Sequence, residues 1–197
     1  MESLSLTNFN QSLCFVYLCQ VQNNLIYILS GSNLGNSFCY LNYAKNRIAE
    51  EVGEIIAASS IYESLAWGFE SEEAFLNQCL LVSTTDTAAV VLEKLLRIET
   101  EAGRKRDKKK KYSSRTLDLD ILFYNSSVIK EKNLTIPHPL LHKRLFTLIP
   151  LQEIIPKGFT HPVLHQNIEE MIHSCDDKAD FPIKKEAVFK KSINFIR

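Results

Sequence analysis

Apolar positions along this chain switch between a period of about two residues and one of about 3.6, and the switches mark out its elements. Leu25-Ile26-Tyr27-Ile28-Leu29 is β-branched and aromatic and runs into Gly31-Ser32-Asn33, which predicts a buried strand and a turn. Leu41, Ala44, Ile48 and Val52 then recur at helical spacing and stop at Gly53, the expected cap. Ile55 to Tyr62 and Phe75 to Ser83 read as two strands, joined by a polar segment around Trp67-Gly68-Phe69 that is too long for a tight hairpin. Thr87 to Ala102 reads as a second amphipathic helix. Val91, Leu92, Leu95, Leu96 and Ile98 form its stripe, Asp86 is its expected N-cap and Gly103 its end. Leu117 to Tyr124 is a further strand.

The order strand, helix, strand, strand, helix, strand predicts an α+β, ferredoxin-like βαββαβ antiparallel sheet with helices on one face. A hairpin from Val128 to Ile136, a short helical stretch near Leu140 to Leu151 and a Lys-rich tail follow. One domain over 24–175 is expected, with an N-terminal extension at 1–23 and a C-terminal tail at 176–197. The length of 197 residues, with 45% hydrophobic and 23% charged positions, suits a globular unit that needs no staples. Its formal net charge of +0 argues against coating nucleic acid by bulk attraction, so any anion site must be a local concentration of cations.

The five cysteines are scattered and contain no C-x-x-C pair, which points to a reducing compartment without disulfides or a zinc site; Cys39 and Cys79 are expected to pack. No Lys or Arg precedes Lys45, so the basic start of an export signal is missing. The apolar run at Leu13 to Leu18 is broken by Gln20 and Gln22. A cytoplasmic, membrane-free location is expected.

Asp118-Leu119-Asp120 carries the most chemical information. Residues two apart on a strand share a face, so both carboxylates emerge together while Leu117, Leu119 and Ile121 enter the opposite one. Two acids so close raise each other's pKa unless a cation intervenes, and Mg²⁺ prefers such oxygens together with phosphate. A solvated sheet face with two surface aspartates gives the same pattern. Directly upstream, Gly103-Arg104-Lys105-Arg106-Asp107-Lys108-Lys109-Lys110-Lys111-Tyr112-Ser113-Ser114-Arg115 holds almost no apolar anchor except Tyr112. Cations flanking paired acids suit a transferring polyphosphate, with Arg gripping bidentately and Lys steering. The alternative for the lysine run is a solvated or nucleic-acid-facing patch. No P-loop, G-x-G-x-x-G, kinase catalytic-loop or G-x-S-x-G motif is present.

Gly31–Gly35 (GSNLG), Tyr62–Gly68 (YESLAWG), Phe75–Asn77 (FLN), Gly103–Arg106 (GRKR), Ser114–Leu122 (SRTLDLDIL) and Ile136–Phe146 (IPHPLLHKRLF) occur in this order. Together they resemble the 6-hydroxymethyl-7,8-dihydropterin pyrophosphokinase family of folate biosynthesis, over about residues 24–160. The resemblance implies ATP, two Mg²⁺ ions, and transfer of pyrophosphate to the pterin hydroxymethyl oxygen with release of AMP. It implies that Asp118 and Asp120 hold the metal ions and that Arg104, Arg115 and Arg106 are catalytic. Glu99, Arg106, Tyr112, Ile121, Thr135, His138 and Arg144 would contact ATP. Ser64, Trp67, Phe75, Asn77 and Phe146 would hold the pterin, aromatic faces and one amide suiting a flat heterocycle. Small-molecule substrates, no nucleic acid and a monomer are expected.

The chain departs from the family where Tyr112-Ser113-Ser114 replaces the frequent Trp-Gly-Pro, and in its Lys-rich loop. His142, His161, His165 and His173 lack metal-ligand spacing and read as surface or tail positions. The competing class is an RNA-binding ferredoxin-like module with a basic loop, which would show aromatics on its central strands where this chain has paired aspartates.

Overall fold

The computed structural model describes residues 23–105, 113–177, 182–185 and 189–190. β1 (Asn24–Ser32) is buried from Ile26 onward because it lies in the middle of the sheet, with β4 (Phe75–Thr84) on one side and β5 (Asp118–Tyr124) on the other, both antiparallel. β4 in turn pairs with β2 (Glu54–Ala58) along one half and with β3 (Tyr62–Ser64) along the other. The long central strands therefore read as continuous apolar runs, and the alternation reports which face each side chain joins.

One face carries the two long helices, α1 (Ser37–Glu51) and α2 (Ala88–Glu101). Their Ala44, Ile48, Val91, Leu95 and Ile98 pack on Ile26, Ile28, Leu80, Val82, Leu119 and Ile121 of the sheet. Full burial of each Leu or Ile is worth about 2 kcal/mol, which outweighs the modest helix propensity of the β-branched residues. Asn36 caps α1 by accepting from Cys39 N at 3.1 Å.

The short helices of the second half close the other face. A 3₁₀ turn (Leu141–Lys143) leads into α3 (Leu145–Gln152), and α4 (Ile168–His173) follows. Leu148, Leu151, Ile168 and Met171 cover Tyr27, Leu29, Cys79 and Leu81. The hairpin is present as β6 (Ile129–Lys130) and β7 (Thr135–Ile136).

The strand expected over Ile55 to Tyr62 is broken in two. Ser59 Oγ accepts the ladder N–H of Cys79 at 2.9 Å and donates to Ser60 O at 2.7 Å, so a side chain satisfies groups that a continuous strand would have paired. The cap of α2 is Thr87, which accepts from Val90 N, rather than Asp86; Asp86 instead pairs with Lys94 at 2.5 Å. Gly53 is required for space: a Cβ there would lie 2.1 Å from Ser83 O. Cys39 is exposed, not packed, because it falls on the outer side of α1. His161 is buried, 4% exposed, against Phe123. α4 and two short strands, β8 (Ile183–Lys184) on β3 and β9 (Phe189–Lys190) on β2, extend the fold beyond the expected elements.

Candidate active site

Alternation along β5 puts Leu119 and Ile121 among the long helices and turns Asp118 and Asp120 to the other face, beyond the end of the short-helix layer. The β1–β5 register shifts between Tyr27 and Ile28, leaving Leu122 as an extra residue. This bulge lets Leu122 and Phe123 enter the same apolar layer in succession. It also frees Leu122 O to accept the N–H of His138 at 3.0 Å, which docks the His138 segment beside the acids.

A row of register partners crosses the sheet here. Tyr62 opposes Asn77, Asn77 opposes Gly31, and Gly31 opposes Asp118. Opposed residues share a face, so the bare Gly31 leaves an open floor between the amide and the carboxylate. A Cβ at Gly31 would sit 3.1 Å from Asn77 Oδ1. Asn77 is 2% exposed and donates from Nδ2 to Ser64 Oγ at 3.0 Å, with Oδ1 on the Gly31 side. The floor belongs to a cleft of about 200 Å³ walled by Phe75, Trp67 and Phe146.

Cations enter from two directions. Gly103, in the left-handed conformation at φ +78°, ends α2 with Arg104 N bonded to Glu99 O at 3.1 Å and Gly103 N to Thr100 O at 3.0 Å. The reversal brings the Arg104 guanidinium onto both Glu99 and Asp118. Burial works against its charge, but Asp118 and Glu99 together push its pKa up, so it stays cationic. Glu99, itself 2% exposed, also accepts Leu119 N at 2.8 Å and so anchors β5.

Arg115 reaches Asp118 from the far end of the basic segment. Its backbone is gripped by Asn33 on both sides: Asn33 N donates to Arg115 O at 3.2 Å, and Arg115 N donates to Asn33 Oδ1 at 2.8 Å. The Asn33 amide also donates to Ser71 Oγ at 3.2 Å and Ser114 Oγ at 3.0 Å.

Among the described residues, Asp120 has the Arg144 guanidinium at 4.0 Å and the His138 Nε2 at 3.9 Å as basic neighbours, both distant. Burial first, and the Asp118 charge second, push its pKa up to about 7 against the pull of Arg144. Burial and the nearby Arg144 lower His138 to about 4 despite Asp118. The neutral imidazole accepts Leu140 N–H on Nδ1 at 3.3 Å, so Nε2 carries the hydrogen and faces Asp120. The Arg144 guanidinium lies 4.6 Å from the Trp67 ring centre and 5.6 Å from that of Phe146. Its Nε is buried with no hydrogen-bond partner among the described residues.

The cleft thus gathers Asp118, Asp120, Arg104, Arg115, His138, Arg144, Ser64, Trp67, Phe75, Asn77 and Phe146, all singled out in the sequence. Three of the expected nucleotide contacts lie elsewhere. Glu99 sits beneath Arg104, Ile121 is in the long-helix core, and Thr135 lines a separate apolar crevice behind His138. Arg106 and Tyr112 lie outside the described residues, as do Lys108 to Lys110. Two same-face carboxylates offer the hard oxygens Mg²⁺ takes, and no group of three or more His, Cys, Asp or Glu among the described residues forms a closed cage. The donors therefore fit an ion that arrives with phosphate oxygens and water.

The family model described as 7,8-dihydro-6-hydroxymethylpterin-pyrophosphokinase (HPPK) matches residues 27–156. The chain belongs to the HPPK family. An HPPK-family relative from Aquifex aeolicus, 2-amino-4-hydroxy-6-hydroxymethyldihydropteridine pyrophosphokinase, is 40% identical over 145 residues, covering 74% of this chain and 88% of its own. The protein of the same name from Bacillus subtilis is 38% identical over 133 residues, covering 67% and 78%. A crystal structure of wild-type Plasmodium falciparum HPPK-DHPS superposes with a TM-score of 0.62 at 18% identity, covering 77% of this chain and 44% of that one; at that identity it speaks for the fold. The chain thus spans under half the length of that structure. The HPPK match gives no support to an RNA-binding module, and the sheet carries acids where stacking aromatics would be needed.

Two HPPK-fold residues of this site were not marked by sequence reasoning. Asn33 stood in a turn motif, and only its partners 38 and 81 positions away reveal a clamp. Glu153, just beyond α3, accepts from Ser60 N at 2.5 Å and Tyr62 OH at 2.9 Å, and nothing local in the sequence announces it. Among the described residues no helix is long and apolar enough to cross a membrane.

Proposed function

We propose that the chain transfers the β,γ-pyrophosphoryl group of ATP to the hydroxymethyl oxygen of 6-hydroxymethyl-7,8-dihydropterin, in folate biosynthesis. The new bond joins the pterin oxygen to the β-phosphorus, the α,β-bridge breaks, AMP leaves with the bridging oxygen, and the hydroxyl proton is released. The observation that carries this reading is the shared floor: Asn77 and Asp118 flank Gly31 within one cleft, so a heterocycle held on the amide side points its substituent at the acids.

Asp118 and Asp120 would hold two Mg²⁺ ions, which would supply charge neutralisation on the triphosphate. Arg104 and Arg115 would move from Asp118 onto the phosphoryl oxygens, with Arg106 beside them, and Arg144, His138 and Tyr112 would bind the nucleotide. Glu99, Ile121 and Thr135 would support the nucleotide side. Ser64 would set the Asn77 amide, and Phe75, Trp67 and Phe146 would stack on the ring. Removing water from this cleft strengthens each charged contact, since a pair at 4 Å is worth about 1 kcal/mol in bulk water and several times more at low dielectric.

Nucleotide product analysis with the pterin alcohol tests the assignment. Stoichiometric AMP and a pterin diphosphate are expected. ADP as product would identify an ordinary γ-phosphoryl kinase instead and overturn the reading.

A further inference from the structure

The cross-strand row does not stop at Tyr62. Its partner on the outer side is Lys184 of β8, so the row runs Lys184, Tyr62, Asn77, Gly31, Asp118, from the C-terminal segment to the candidate metal carboxylate. We propose that Lys184 and Glu153 are positioning residues that set the pterin wall of the cleft. This rests on the reading of Asn77 and Ser64 as pterin contacts.

β3 is three residues long, too short to hold its register by ladder bonds alone, yet Ser64 at its end must aim the Asn77 amide. Glu153 supplies the missing restraint. One carboxylate oxygen accepts Ser60 N–H at 2.5 Å, and the other accepts Tyr62 OH at 2.9 Å and Lys184 Nζ at 2.7 Å. The next residue repeats the link: Lys185 N donates to Ile61 O at 2.7 Å, and Lys185 Nζ lies 3.1 Å from Glu63. β3 is thereby held against β4 on one side and the C-terminal segment on the other.

Glu153 also connects the two walls. It follows α3, whose first turn carries Phe146 and whose preceding residue is Arg144. A single carboxylate at the end of that helix therefore fixes how far β3, with Ser64, stands from Phe146. Lys184 is the cation that compensates it; the Glu153 side chain is only 17% exposed, and without Lys184 the two donors left to it in this cluster, Ser60 N–H and Tyr62 OH, are neutral.

Steady-state AMP formation by the full chain tests the proposal. Glu153→Gln and Lys184→Met are each expected to raise KM for the pterin alcohol about fivefold, the loss of roughly one hydrogen bond, with kcat and KM for ATP within about twofold of wild type. Lys184→Arg restores the wild-type value, and Tyr62→Phe, which deletes one oxygen, shifts KM for the pterin in the same direction even if Glu153→Gln folds poorly. A lowered melting temperature with an unchanged KM for the pterin, or equal rises for both substrates, overturns the positioning role and leaves the pyrophosphokinase reading standing. Wild-type chain that releases no AMP from the pterin alcohol overturns that reading and the proposal with it.

Discussion

Asn77 and Asp118 stand on one cross-strand row with only Gly31 between them, so an amide suited to a heterocycle and a carboxylate suited to magnesium share a floor without a side chain in the way. The absent side chain is what makes the floor usable. Gly31→Ala would place a methyl 3.1 Å from Asn77 Oδ1. The amide must then shift, and kcat/KM for the pterin is expected to fall about tenfold while stability changes by on the order of 1 kcal/mol. Paired kinetics and thermal unfolding check this; an unaffected KM for the pterin would contradict it.

Asp120 and Asp118 are expected to behave differently when neutralised. Asp118 is matched by Arg104 and Arg115, whereas Asp120 is held near pKa 7 by burial and by Asp118. A group whose folded pKa lies above its unfolded value favours the folded state at low pH and loses that contribution as pH rises through about 7. At pH 8, Asp120→Asn therefore relieves a penalty. Discounted for a side chain that is 34% exposed, the gain is on the order of 1 kcal/mol. Asp118→Asn destabilises, because Arg115 and Arg104 each lose an ion-pair carboxylate, Arg104 keeping Glu99. Both variants are expected to lose turnover by about a thousandfold, read as AMP release. Equal melting shifts in the two would contradict the account.

Asn33 ties Arg115 to the segment that carries Ser71, and its replacement tests whether that clamp matters to chemistry. Asn33→Ala keeps the backbone bond to Arg115 O but removes the acceptor of the Arg115 N–H and the amide donors to Ser71 and Ser114, and is expected to cost about 2 kcal/mol of stability. It should also lower kcat by about a hundredfold, through misplacement of the guanidinium. Ser114→Ala removes one of several bonds and should stay within about threefold of wild type. A kcat for Asn33→Ala close to that of Ser114→Ala would show the clamp to be dispensable.

His161 offers a pH test independent of catalysis. Its Nδ1 accepts Val163 N and Leu164 N, each at 3.1 Å, and burial, aided by His142, lowers its pKa to about 4. The unfolded chain takes up a proton near pH 6.5 while the folded one resists, so stability is lost as pH falls from about 6.5 to 4, by on the order of 1–2 kcal/mol. His161→Asn keeps an acceptor in place of Nδ1 and cannot titrate. Denaturant unfolding at several pH values should show that slope in the wild type and a shallower one in the variant, where the buried His138, also near 4, still contributes.

Features governed by nearest neighbours were readable in advance. The alternation at Leu117 to Ile121 announced which face the acids take, and Gly103 announced where Arg104 would turn. Features that depend on distant partners were not. Ser59 breaks a strand only because the Cys79 N–H arrives beside it, and Thr87 outcompetes Asp86 as a cap because Lys94 claims the aspartate. His161 looked like a tail residue until Phe123 and the turn at 163–164 enclosed it. Ile121 points into the core by the same alternation that exposes Asp120, so its expected nucleotide contact conflicts with its own strand period.

The supernumerary Leu122 acts as a phase shift within one ribbon of chain. Residues before it are counted odd and even in one sense, residues after it in the other. Trimming a single amino acid there would force a choice between seating Phe123 with its aromatic neighbours and keeping both acids out of the hydrocarbon around Leu95 and Ile98. Length at that point is thus as tightly specified as any side chain in the cleft, and shortened versions of this strand should be selected against even when every named catalytic group is retained.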